Sequence, residues 1–349
     1  MVGEASLGWV DMRAIVLFFS LIGMLSLNAD DNKLQIVTTI KPIQALVLAI
    51  IDGVDTSRSQ QLIPDFASPH HYSFKPSDIR KIKKADIIFR IDDHFEMMLN
   101  PAFSQVQNKN ISILSLADAP EIYLLPSSKS HRAKHSSSGS SSHDSSHQDE
   151  DEHELEQHDK EQHAKEQEHD EQHNAHSLDM HIWTSPANAI AMAKQITLSL
   201  SEIDPNNKTH YKENRHNLIN KITASTTQIK QQLKPLQTSP YIVFHDSWQY
   251  FAHSFSLNKP TVVNFHEGIS VGAKTLHTVR QQIKSKNIHC LFSSTGLNPA
   301  RVNVLTENIP DIKTVEIDVL ARTFTSNKNT YVDWLKTMGK QIKRCLTEN

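Results

Sequence analysis

Cysteine is scarce in this chain: Cys290 and Cys345 are the only two in 349 residues. That excludes four-thiolate metal knuckles and CxxC redox pairs, which need several closely spaced thiols. Glycine is scarce as well, with nine residues and no phosphate-cradling loop among them. Neither charge dominates. The formal net charge is −3, and no basic stripe interleaved with aromatics appears, so nucleic acid is set aside as a partner. No Ser/His/Asp elbow and no HExxH helix is present. Long apolar runs are missing too: the longest, within "MRAIVLFFSLIGMLSLNAD", covers about 14 residues, where a bilayer span needs about 20.

That short run reads as a secretory signal, with Arg13 ahead of it and Leu27-Asn28-Ala29 as a small-residue exit. The eleven residues before Met12 carry Glu4 and Asp11 but no cation, so translation is expected from Met12, with a signal peptide ending at residue 29 and a periplasmic mature chain. An uncleaved anchor is the alternative. With no Cys just after the run, nothing proposes a lipid-modified N-terminus. In a secreted protein a lone Cys pair predicts a disulfide, and Cys290–Cys345 would pin the last helix to a strand, "IHCLFSS". Two buried thiols are the alternative.

What is present is an α/β pattern that runs twice. "LQIVTTI" (34–40), "ADIIFRI" (85–91) and "ISILSL" (111–116) read as strands, with a helix at 43–52 after the first. Beyond residue 236, "YIVFHD", "TVVNF", "HCLFSS" and "TVEIDVL" read as strands, separated and followed by helices. Such alternation predicts parallel sheets with helices on both faces. Between the halves, Asp204-Pro205 starts a helix and Pro235 stops it. Tyr211, Leu218, Ile222, Ile229 and Leu233 form one narrow apolar stripe along it. The predicted fold is therefore two α/β lobes joined by one long rigid helix, with a first lobe at 30–206, the linking helix at 207–235 and a second lobe at 236–349.

Residues 126–176 interrupt the first lobe with a Ser-rich stretch and then "EDEHELEQHDKEQHAKEQEHDEQH". Almost nothing there can be buried, so disorder without metal is expected. His131, His135, His143, His147, His153, His158, His163, His169, His173 and His176 make it a candidate auxiliary metal segment. Ordering a flexible chain around an ion lowers the affinity gained, so several weakly held ions are expected here rather than one held tightly. A solvated insertion with no role is the alternative.

Other histidines sit where packing does not explain them. His70 and His71 lie in the Pro-flanked "ASPHHYSFKPSD", and His181 precedes the helix that begins near Pro186. His245 ends the strand "YIVFHD", and His266-Glu267 ends another; ligands bind at that edge of open α/β sheets. Three imidazoles meeting between the lobes would suit zinc in a tetrahedral shell.

At these residues the sequence resembles a known family: the metal-binding receptors of cluster A-I ABC importers, and within it the periplasmic zinc-uptake receptors of Gram-negative bacteria. The resemblance covers nearly the whole mature chain. It rests on "TTIKPIQALVLAI", "ASPHHYSFKPSD", the acidic His-rich insertion, "MHIWTSPANA", "FHDSWQYF", "GAKTLHTVRQQI" and the two cysteines, in that order. It implies zinc ligands at His70, His181 and His245, a possible fourth at Asp318 (or water), and an ABC permease as partner to a monomeric receptor. Manganese receptors of this fold are implied to carry a carboxylate where His245 stands; imidazole at that place favours zinc. Two departures matter. Pro69 stands where some zinc receptors have Glu, and "SST" around Ser294 replaces an acidic position. His71 is a further candidate ligand.

The expected function is capture of Zn2+ in the interlobe cleft for delivery to the permease, by a protein that is not an enzyme. Three rivals stand beside it: a manganese or iron receptor of the same fold, a zinc-dependent hydrolase using Asp246 or Glu267 to activate water, and a metal buffer whose whole function lies in the His-rich segment.

Overall fold

The computed structural model describes residues 33–106, 110–127, 178–263, 272–307, 309 and 311–347. The predicted signal sequence, all ten histidines of the insertion and the His266-Glu267 segment fall outside these.

The first lobe runs β1 (Leu34–Thr38), α1 (Lys41–Ile50), β2 (Ser57–Gln61), α2 (Pro76–Lys84), β3 (Ile87–Arg90), α3 (Asn100–Ser104) and β4 (Ser112–Ser115). Its strands pair in the order β2-β1-β3-β4, all parallel. Alternation along the strands buries both faces. Ile36, Ile87 and Phe89 join the main core with α1, while Val37 and Ile88 pack against Ile82 of α2 and Phe103 of α3. A short antiparallel pair, β5 (Leu125–Pro126) with β6 (Leu178–Asp179), closes the two ends of the insertion against each other.

Two helices then cross to the second lobe, α4 (Pro186–Ile203) and α5 (Lys208–Leu233). The second sheet is built from β7 (Ile242–Val243), β8 (Thr261–Val262), β9 (Cys290–Ser294) and β10 (Lys313–Ile317), in the order β10-β9-β7-β8 and again parallel. In chain order α6 (Gln249–Ser254), α7 (Ala273–Ser285), α8 (Pro299–Thr306) and α9 (Thr330–Thr347) complete it. Ile242 and Leu291 face Val279, Ile283 and Leu305 of α7 and α8. On the other face, Phe292, Val315 and Ile317 belong to one core with Trp334, Leu335, Met338 and Ile342 of α9. Cys290 and Cys345 are disulfide-bonded with Cα atoms 5.6 Å apart, tying the last turn of α9 to β9. A closed loop of this length stabilises by about 4 kcal/mol on the chain-entropy account.

The long helix α5 has 26 residues, about 39 Å at 1.5 Å per residue. Its buried residues are the five of the predicted stripe plus Ser225. It is no bare rod: α1, α4 and α9 all pack along it, and its apolar stripe belongs to a core that also includes residues of both sheets. The lobes therefore share one hydrophobic interior. Two elements depart from expectation. β2, "SRSQQ", carries no apolar residue, yet it pairs with β1 through its backbone and its Ser59 hydroxyl donates to Gln44 at 2.8 Å. β7 ends at Val243, two residues short of His245, so that histidine stands on the loop beyond the strand.

Gly339 of α9 lies close against α5, where an added Cβ would sit 2.9 Å from Cγ1 of the buried Ile229. Overpacking of that kind costs about 1–3 kcal/mol, against a helix-propensity gain of about 1 kcal/mol for Gly to Ala. Gly339→Ala is expected to lower the urea midpoint with an unchanged m-value, a net loss of about 1 kcal/mol.

Candidate metal centre

His70 stands on the loop between β2 and α2. Tyr72 and Asp78 hold this loop: the Tyr72 hydroxyl donates to Asp78 at 2.7 Å, and the Lys75 N–H donates to the same carboxylate oxygen at 2.9 Å, starting α2. The buried Pro69 precedes His70 and leaves its ring at the surface of the cleft. His181 lies between β6 and α4. Its backbone N–H and its Nδ1 both bond one oxygen of Asp179, at 2.9 and 2.7 Å. That carboxylate is buried, so the bond fixes the ring and leaves Nε2 as the outward nitrogen. Tyr250 of α6 donates to the Asp179 carbonyl, so the second lobe steadies the turn that carries His181.

His245 comes from the second lobe, between the buried Phe244 and Asp246. The three imidazoles converge. Ring centroids are 5.4 Å apart for His181–His245, 5.7 Å for His70–His181 and 6.4 Å for His70–His245. One nitrogen from each lies within 4.8 Å of the others. In a tetrahedral zinc shell with bonds of 2.0–2.1 Å such nitrogens sit about 3.3 Å apart, so a small inward turn of the side chains closes the set. Three separate stretches of chain, two on one lobe and one on the other, meet at the carboxyl edges of the sheets, where α/β folds bind ligands.

Asp318 follows β10 and lines the same cleft, but it stands outside the converging group. Its oxygens accept from the Arg322 N–H at 2.9 Å and from the Thr323 N–H and hydroxyl, each at 2.8 Å. His71 also lines the cleft, its ring 6.5 Å from that of His70, and it too is outside the group. The ten histidines of the insertion and His266-Glu267 lie outside the described residues. A second group, Asp92, Asp93 and His94, offers close ligand atoms from a single turn at the surface.

Sequence reasoning missed the supporting cast. Asp179 is one such residue, although an acid two positions before a candidate ligand was legible as a signal. Phe95 is another: its ring packs edge-on against His70 at 4.7 Å and against His181 at 5.5 Å, walling the site with hydrocarbon. Phe95 is carried on a turn that Glu96 holds, through N–H bonds from Ile91 at 2.9 Å and Asp92 at 3.3 Å. Glu96 is fully buried, and burial pushes its carboxyl up to about 7, against the opposing pull of the Thr39 hydroxyl, these N–H groups and Arg90.

Two parallel-sheet lobes over a shared core, with imidazoles from both meeting in the cleft between, define a metal-binding solute receptor. The comparisons give the family. Residues 36–345 match the family described as ZnuA, zinc-uptake complex component A, periplasmic, and the chain belongs to it. The high-affinity zinc uptake system protein ZnuA of Haemophilus influenzae is 33% identical over 92% of this chain and 94% of its own length. That of Yersinia pestis is 30% identical over 89% and 91%. A crystal structure of ZnuA, 23% identical, superposes with a TM-score of 0.66 over 90% of this chain and 99% of that one. A zinc-bound ZnuA deletion mutant, 21% identical, gives 0.66 over 91% and 99%. These two show the shared fold. Family membership makes the chain a component of a zinc-uptake system and not an enzyme, which sets the hydrolase rival aside. The family is periplasmic, and among the described residues no helix is long and apolar enough to cross a membrane.

The Glu96 carboxyl yields a signed expectation. With its folded pKa raised from 4.5 to about 7, the folded state keeps a proton that the unfolded chain releases between those values. Its contribution is whole below pH 4.5 and is lost as pH climbs to about 7, by no more than about 3 kcal/mol. Glu96→Gln is expected to flatten stability against pH over that window and to exceed the native protein at pH 7.5, as read by urea unfolding at a series of pH values.

Proposed function

We propose that this protein captures zinc in the interlobe cleft through His70, His181 and His245 and hands it to the membrane permease of an ABC importer. What supports this reading is the proximity of the three imidazole nitrogens, all within 4.8 Å of one another, in a chain of the zinc-uptake family. An all-nitrogen set suits a borderline ion such as zinc better than manganese, which prefers oxygen. With both Asp318 oxygens engaged in its own turn, we assign the fourth position to water or to an incoming ligand rather than to that carboxylate.

The chain divides in this reading into a cleaved signal peptide (1–29), a first lobe (30–206) carrying the His-rich insertion (126–176), the linking helix (207–235) and a second lobe (236–349), acting as a monomer. The insertion, with His131, His135, His143, His147, His153, His158, His163, His169, His173 and His176, is a low-affinity scavenger or a sensor of abundant zinc. It concentrates ions beside the tight site.

Calorimetric zinc titration against a competing chelator tests this on the mature chain, on a version lacking residues 131–176 and on His245→Ala. One tight site is expected in the first two, extra weak sites only in the first, and loss of the tight site in the third. If deleting the insertion removes the tight site, the metal-buffer reading replaces this one; if manganese competes equally with zinc, the choice of ion is wrong. Removing the charge that orients His181 gives a finer check. Asp179→Asn is expected to weaken zinc binding about 10-fold or more, in the range found for partners of metal-bound histidines, with the far-UV spectrum unchanged.

A further inference from the structure

The cleft is far larger than its proposed cargo. Its volume is about 680 Å3, room for about twenty waters at about 30 Å3 each, whereas an ion on three imidazoles needs space for one ligand more. Cavities of about 300–1,000 Å3 are those that hold small organic molecules.

The walls are chemically unequal. The imidazoles gather at one part, while the end of β9 and the segment after it supply another: Ser294, Thr295, Asn298 and, in the first turn of α8, Arg301. Arg301 is only partly exposed, yet its guanidinium makes no hydrogen bond or ion pair with any described residue. Arg322 in the same lining shows the contrast, since it donates to the Thr295 carbonyl at 3.0 Å and to the Ala67 carbonyl at 3.3 Å. Nor do the cleft's carboxylates satisfy Arg301. Asp318 is held by the 322–323 turn, and among the described residues no ion pair joins the buried Asp246 to Arg301. On the three-histidine reading, the metal's fourth position and a guanidinium with no partner among the described residues border one cavity of small-molecule size. Both groups favour the same chemistry, a carboxylate: zinc binds it through oxygen and arginine can bind it bidentately.

We propose that the centre takes zinc as a ternary complex with a small carboxylate chelator, one carboxylate completing the metal's shell and a second reaching Arg301. This rests on the three-histidine reading of the site. The protein then takes zinc in the chelated form in which small carboxylic acids hold it in solution, so the chelator acts as a second ligand and not as a competitor.

The test uses the full mature chain, zinc-loaded, with citrate as the probe and L-histidine as a parallel amino-acid arm. Native mass spectrometry and equilibrium dialysis of labelled citrate read the complex. One citrate per cleft-bound zinc is expected, absent without zinc and lost in His245→Ala, whose insertion is intact. Arg301→Gln is expected to weaken citrate retention about tenfold or more, the usual worth of a hydrogen bond to a charged group, with Arg301→Lys recovering part of it. Retention of L-histidine but not citrate overturns the two-carboxylate arrangement, since the amino acid has a single carboxylate to offer. Zinc-loaded protein that retains neither acid overturns the proposal, as does equal retention by Arg301→Gln. Failure of the underlying reading looks different: in buffer free of both acids, His245→Ala would still bind zinc as tightly as the native chain.

Discussion

The seam between the lobes is the constraint on which the rest of this structure depends. His70 and His181 belong to one lobe and His245 to the other, so the centre exists only while the lobes hold one relative position. Beside the shared core, the segment after β10 and the start of α9 help to fix it. Trp183 of the first lobe donates its indole N–H to the Val319 carbonyl at 2.9 Å, and Tyr331 donates back to the Trp183 carbonyl at 2.9 Å. Lys41, at the start of α1, is buried against Asp65 and donates to the Phe324 carbonyl at 2.7 Å. Arg322 reaches across to Ala67, three residues before His70. Each such bond contributes only about 1 kcal/mol net, but breaking one strands a buried donor at a cost of about 1–3 kcal/mol. Opening the seam would strand several together.

Around that fixed seam, each imidazole is aimed by a different device. For His181 it is the Asp179 carboxylate, for His70 a loop locked by Tyr72 and Asp78, and for His245 the buried residues on either side of it. Phe95 touches two of the rings and replaces water with hydrocarbon on one side of them. A lower local dielectric strengthens the Asp179–His181 bond and any attraction to a captured cation. Burial also pushes the Glu96 carboxyl just behind up to about 7, so below that pH it holds the turn of Phe95 without placing a negative charge in the interior.

Much of this could be read from the sequence where the signal was apolar periodicity. The stripe on α5 was visible as Tyr211, Leu218, Ile222, Ile229 and Leu233, and the structure buries all five. Ser225 on the same stripe was invisible because a hydroxyl does not register as apolar; it is buried with its proton given to the Lys221 carbonyl at 2.7 Å. β2 was missed for a related reason. An edge strand is held by backbone pairing, and "SRSQQ" satisfies that with polar side chains. The three candidate histidines were named from their places at loops and strand ends together with the family resemblance; their convergence depends on pairing across more than a hundred residues, which no local pattern encodes. Asp179, Phe95 and Glu96 act through neighbours in space, so their roles became readable only with the fold.

Hard oxygen donors are not missing from the cleft, for Asp318 lines it and Asp179 stands directly behind His181. Asp318 is committed elsewhere, and Asp179 is engaged through one of its oxygens. Asp318 uses both oxygens on N–H groups of its own turn, and one Asp179 oxygen takes two bonds from His181. Drawing Asp318 toward an ion would uncap the Arg322–Thr323 turn, and Arg322 is one of the residues that bridge the seam. The fold therefore ties oxygen ligation to the loosening of its own interlobe contacts while the imidazoles converge without that cost. A borderline-soft ion that accepts nitrogen gains most from such a site, and a hard ion that demands several oxygens gains least. In the proposed three-histidine site, metal preference would be set as much by what holds the carboxylates back as by the histidines themselves.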